Sequence, residues 1–202
     1  MRFLVLISML FLCTRCEEIR IPVDSTPYAT IYLQPYDYSY EETLNLKAVL
    51  EEHLEQMLYG TFEVKVLPEK HLTSEYLGDT KTKYRIDKII NSLSKNATSH
   101  NIYIGITHKD ICRDFKYGVV DWGVLGSSIS SSHACIVSDK RLRNKQRDLW
   151  KLVIHEFIHT YYEYPHCPKD NPKCIMRDAK GHADFSNKVS LCEYCSNELG
   201  SN

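Results

Sequence analysis

Residues 149–161 read Leu-Trp-Lys-Leu-Val-Ile-His-Glu-Phe-Ile-His-Thr-Tyr. Leu149, Leu152 and Val153 recur at helical spacing, which predicts a core-anchored helix over Gln146–Tyr161. On that helix His155 and His159, four apart, stand one above the other on the same face. Two imidazoles so placed can grip one zinc ion, and Glu156 stands beside the first, where a carboxylate can act on water that the ion has acidified. Taken alone, the five residues His155–His159 also fit two partly buried histidines that do nothing but hydrogen-bond. A zinc that does chemistry needs a third protein ligand and an open fourth position. His166, just past the expected helix end, is the candidate.

Four cysteines follow: Cys167, Cys174, and the pair Cys192-Glu193-Tyr194-Cys195. Two cysteines near one another in sequence and then a CxxC make ordinary spacing for a closed, tetrahedral zinc site. Two disulfides are the alternative if the chain leaves the cytoplasm.

The N-terminus points that way. Arg2 precedes an apolar run, Phe3–Leu12, which is too short to span a membrane and suits the core of an export signal. Cys13 and Cys16 sit directly behind it, where a bacterial lipoprotein carries its lipidated cysteine, although the residues before each are not the usual small ones. The expectation is a signal over 1–16, a tether over 17–27 and one domain over 28–202. The protein would then be extracytoplasmic, either secreted or periplasmic, or held to a membrane by a lipid anchor only. A formal net charge of −1 in 202 residues gives no basic field, so nucleic acid is not an expected partner, and a monomer is expected.

Along the domain, Thr30–Leu33 reads as a strand. Residues 40–59 form an amphipathic helix with Leu46, Val49, Leu50, Leu54, Met57 and Leu58 at helical spacing, stopped by Gly60. Phe62–Val66 alternates as a strand, Tyr84–Leu93 suggests a second helix, and Ile102–Ile106, Tyr117–Val124 and Ala134–Val137 suggest further strands. That order implies an α/β domain with a mixed sheet. The serine-rich run Gly126–Ser132 reads as a mobile loop, and Cys112 and Cys135 as either a bonded pair or two buried thiols.

The tail from His155 to Cys195 resembles the signature of the archaemetzincins, a family of metzincin-like zinc peptidases. That pattern runs HExxHxxGxxHC, then CxM, then CxxC. Here it reads His155-Glu156-Phe157-Ile158-His159, His166-Cys167, Cys174-Ile175-Met176 and Cys192–Cys195. Tyr103–Asp110 and Ile136–Leu142 resemble the strand-and-loop segments upstream, so the likeness spans most of the domain and is strongest from Ile102 onward. The resemblance implies a metzincin-like α/β domain with a zinc-binding C-terminal segment and two zinc ions per chain. One zinc would be catalytic, on His155, His159 and His166, and one structural, on Cys167, Cys174, Cys192 and Cys195. It makes Glu156 the general base, Met176 a methionine turn beneath the metal, and peptides or small amides the substrate. The competing expectation is a non-catalytic module that keeps the zinc sites as scaffolding.

The chain departs from the pattern at three places. Tyr161 and Tyr162 stand where the family has its glycine, followed by Glu163, the path to His166 is one residue longer, and Cys167 to Cys174 is two longer. Asp170 and His182 are the substitutes if His166 fails to reach the metal.

Overall fold

The computed structural model describes residues 27–115, 118–180 and 185–200. The expected signal, nearly all of the tether and His182 therefore lie outside the described residues. Two sheets are built from β1 (Ala29–Tyr36), β2 (Phe62–Val66), β3 (Tyr84–Arg85), β4 (Asn101–Thr107), β5 (Ile111–Phe115), β6 (Val119–Val124), β7 (Gly126–Ser128) and β8 (Ala134–Ser138). The larger sheet has the order β2-β1-β4-β8-β7, parallel throughout except for β7, and the smaller has the order β3-β5-β6. The helices are α1 (Tyr40–Met57), α2 (Ile86–Leu93), α3 (Lys145–Tyr161) and α4 (Glu193–Glu198). This is the expected α/β domain with a mixed sheet. Among the described residues no helix is long and apolar enough to cross a membrane.

The large sheet is covered on both faces, which explains the dense apolar character of its central strands. Ile31, Leu33, Ile102, Ile104, Ile106, Cys135 and Val137 join the core shared with α1 and α3, while Ala134 and Ile136 turn to the side of α2. On that second side Gly105 is a close-approach position: a Cβ there would lie 2.5 Å from Ile136 Cδ1 and 3.2 Å from Leu93 Cδ1. α1 starts on a capping box, with Glu42 N–H donating to Ser39 Oγ and Ser39 N–H to the Glu42 carboxylate. Of its expected stripe, only Val49 is exposed.

From Asp148 onward α3 is buried on nearly every side, its polar residues included. Leu149, Leu152, Val153, Ile154, Phe157 and Ile158 are all buried. Its buried polar pair holds the tail in place. Lys151 Nζ donates to Asp148 Oδ1 (2.9 Å) and to the Phe185 carbonyl (3.1 Å), and Ser186 Oγ donates to Asp148 Oδ2 (3.2 Å).

Two expectations change, and one open alternative closes. Residues 126–128 of the serine run form β7, laid antiparallel on β8 with Gly126 opposite Val137 and Ser128 opposite Cys135. Ladder hydrogen bonds to a buried neighbour override the weak strand preference of serine. β5 and α4 were not expected at all. Cys112 and Cys135 are two separate buried thiols: Cys135 lies in the main core, and Cys112 donates to Asp121 Oδ1 (3.4 Å).

Candidate metal centre

α3 brings His155 and His159 onto one face, their Nε2 atoms 3.1 Å apart. Each ring is oriented through its other nitrogen. His155 Nδ1 donates to the Ile175 carbonyl (2.8 Å), and His159 Nδ1 to the Tyr164 carbonyl (2.6 Å). Carbonyl acceptors at Nδ1 fix the tautomer that leaves Nε2 free as a ligand. The two free nitrogen lone pairs then point at one another, an arrangement that calls for a cation between them. Zinc at about 2.0–2.1 Å from each nitrogen would set them roughly 3.3 Å apart.

His166 completes the group, with one ligand nitrogen from each of the three histidines within 4.8 Å of the others. Its ring lies 4.7 Å from that of His159, nearly perpendicular, and 5.2 Å from that of His155. Burial pushes His155 well below the ordinary histidine range and lowers His159 and His166 as well, which favours the neutral form that metal ligation requires.

The glycine-free turn resolves simply. Tyr162 stays right-handed, and its N–H closes the helix on the Ile158 carbonyl (3.1 Å). Glu163 takes the left-handed conformation at φ +50. The residue in excess of the family spacing thus falls between His159 and the left-handed Glu163. From Glu163 to His166 the separation is three residues, the same as from the family's glycine to its histidine. Glu163→Gly should therefore stabilise the fold by about 1 kcal/mol, seen as a small rise in melting temperature with the zinc content unchanged. A fall would show that Glu163 contributes more through its contacts with Ser131 than the backbone strain costs. Asp170 stands apart on the surface, paired with Arg177 Nε at 2.8 Å.

The four cysteines also converge, their sulfurs all within 4.8 Å of one another. Cys167 and Cys192 are 3.6 Å apart and Cys174 and Cys195 3.7 Å, far beyond the roughly 2.0 Å of a disulfide. Four thiolates about 2.3 Å from one tetrahedral zinc sit roughly 3.8 Å apart, so the donor set fits that ion.

One short segment connects the two groups. Cys174 belongs to the sulfur cluster, the Ile175 carbonyl holds His155, and the buried Met176 accepts the Cys167 N–H at 2.8 Å. Lys188, also buried, donates to the Ile175 (3.4 Å) and Arg177 carbonyls, and its Nζ lies 4.0 Å over the Phe185 ring. Burial lowers this ammonium to about 8.

Glu156 is buried one residue beyond His155, and burial pushes its carboxyl up to about 8 against the pull of Lys188 and Arg113. Gly126 on β7 lies against it: a Cβ at this position would be 2.9 Å from both Cγ and Oε1 of Glu156. The three histidines and Glu156 line a cleft of about 790 Å³, walled by β7 and by the β5–β6 hairpin.

Among solved structures, the archaemetzincin of Methanopyrus kandleri matches with a TM-score of 0.66 at 19% identity, over 86% of this chain and 94% of its own. That of Archaeoglobus fulgidus, complexed with malonate, matches with 0.62 at 23% identity, over 84% and 99%. The chain has the archaemetzincin fold. A zinc-dependent peptidase from Methanocorpusculum labreanum shares it, with a TM-score of 0.62 at 18% identity over 84% of this chain and 99% of the other. At the level of sequence, no family model and no curated protein matches the chain. Lys188, Gly126 and the carbonyls of Ile175 and Tyr164 are parts of this site that the sequence does not announce.

Proposed function

We propose that the chain is a zinc-dependent peptidase, with His155, His159 and His166 holding a catalytic zinc and Cys167, Cys174, Cys192 and Cys195 a structural one. The observation that carries this reading is three imidazoles converging beside a buried glutamate in the lining of an open cleft. Bound there, zinc would supply a Lewis acid that polarises a carbonyl and acidifies water. With a zinc cation beside it favouring its ionised form, Glu156 would take the proton of the attacking water and return it to the leaving amine, the part of a general base that becomes a general acid. His155 and His159 keep their ligand nitrogens aimed through their carbonyl acceptors. β7, an edge strand that lines the cleft, offers backbone groups to an extended peptide. Met176 packs beneath the histidines.

The open cleft and the buried base favour an enzyme over a scaffold, which has no use for either. On the export reading of residues 1–16 the mature protein works outside the cytoplasm, either as a cleaved soluble form or held to a membrane only by a lipid on Cys13 or Cys16, and we take it to be a monomer. Cleavage of a peptide library that is abolished by a chelator and restored by zinc is the expected result, with two zinc ions per chain in the purified protein. Silence across a broad library with both metals present would remove the peptidase assignment.

Gly126 offers a finer test. In Gly126→Ala the new methyl displaces the Glu156 carboxylate, and small misplacements of a catalytic group are costly. The expected outcome is a fall of kcat by about tenfold or more, with KM and zinc content little changed. An unaltered kcat would mean that Glu156 has room to yield, or is not the base.

A further inference from the structure

Which peptides the cleft accepts is written on its hairpin wall, and the inference here rests on the peptidase reading above. On β5 and β6, Arg113 stands directly across the ladder from Trp122, and both line the cleft together with Phe115. The Phe115 and Trp122 rings lie 5.9 Å apart and remain 54% and 51% exposed. Two large aromatic rings half in solvent beside a cleft stabilise little in the free protein. Such a patch is the mark of a surface that binds something apolar.

The charges around them differ in how far they are committed. Arg141, also in the lining, forks onto Asp110 through Nε (2.7 Å) and Nη2 (2.8 Å). Asp178 accepts the Lys180 N–H (2.8 Å) beside His166. Asp114, next along β5, is held by Arg85 Nη1 (2.7 Å). The Arg113 side chain is exposed and, among the described residues, makes no side-chain hydrogen bond or ion pair; its charge acts at longer range on the buried Glu156. It is the cation in this lining that is left for a ligand, and a planar guanidinium matches a carboxylate with two parallel hydrogen bonds.

We propose that Arg113 is a specificity residue that clamps a peptide carboxylate, while a neighbouring apolar side chain of the same peptide lies on the Phe115–Trp122 shelf. The carboxylate belongs to an Asp or Glu side chain or to a free C-terminus, and the substrates can be designed to separate the two.

Matched peptides carrying Glu or Gln beside a Phe, all amidated at the C-terminus, test the side-chain source. A neutral pair with a free or an amidated end tests the other. In the wild type, at least one acidic member should exceed its neutral partner in kcat/KM by about tenfold at low salt, and by less as salt screens the contact. The ratio should fall to about one in Arg113→Ala, recover in part in Arg113→Lys, and invert in Arg113→Glu when a lysine peptide is included. Each ratio is taken within one variant, so a general loss of rate cancels. Ratios near one in the wild type, or a preference that survives in Arg113→Ala, overturn the proposal. If no peptide is cleaved, the peptidase reading falls by itself. Calorimetric titration of Glu156→Gln protein with the same pairs then decides the clamp: tighter binding of the acidic members upholds it, and equal affinities overturn it.

Discussion

In Glu156→Gln, peptide cleavage is expected to fall by about a thousandfold or more, with the zinc content of the wild type, two ions per chain on the proposed reading, retained. Glutamine has nearly the shape of glutamate and fits the same pocket against Gly126, but it cannot accept a proton from water. Nothing in the substitution touches the carbonyls that orient His155 and His159, so metal retention separates lost chemistry from a lost site. Stability separates them a second time. The buried Glu156 carboxyl holds its proton up to about 8, whereas the free side chain releases it near 4.5. In the metal-free protein the unfolded chain is therefore favoured increasingly as pH rises between those values. Glutamine removes that cost. Its metal-free melting temperature should exceed that of the wild type at pH 8 and approach it near pH 4.5. Cleavage within tenfold of the wild type would remove Glu156 from the mechanism, whatever the melting curves show.

The second large effect is expected at the sulfur cluster. Cys174→Ser should lower the melting temperature of the zinc-loaded protein by about 10 °C and weaken zinc binding at the histidines as well. Structural zinc in a four-ligand site binds with about 10–16 kcal/mol, and in small domains that binding is folding energy. If losing one thiolate forfeits about 4 kcal/mol of it, a domain of this size loses about 2–4 °C for each kcal/mol. The effect on the histidines follows from connectivity. Cys174 is fully buried, its neighbour Ile175 carries the carbonyl that orients His155, and Cys167 directly follows His166. Calorimetric melting, with zinc counted against a competing chelator, reads both consequences. A variant that melts like the wild type and still holds two zinc ions would show that the cysteines are not a metal site.

The long elements were legible because their periodicity is strong. α1, α3 and the central strands β1, β4 and β8 each carry enough apolar residues to declare both period and burial. What escaped has a physical reason in each case. β5 places Arg113 and Asp114 in the middle of five residues, so neither alternation nor an apolar run marks it. β7 is a Gly-Ser-Ser segment, a strand only because β8 presents a ladder for it to join. α4 has six residues, too few for a helical period. At the site, His155, Glu156 and His159 were readable because a helix turns a spacing of four into a shared face. The carbonyls of Ile175 and Tyr164 leave no trace in a sequence, since every residue has one. Lys188 looks like any surface lysine until the tail folds over it.

The left-handed residue at Glu163 bears on how such chains are recognised. A pattern of fixed length, counted forward from the second histidine, assumes that the helix always ends at the same residue. Here the left-handed residue stands four positions after His159 and keeps a three-residue step to His166. A search anchored on that turn and counted in both directions would admit helices of variable length, and tyrosine and glutamate in place of glycine would no longer hide a histidine trio behind a misaligned gap.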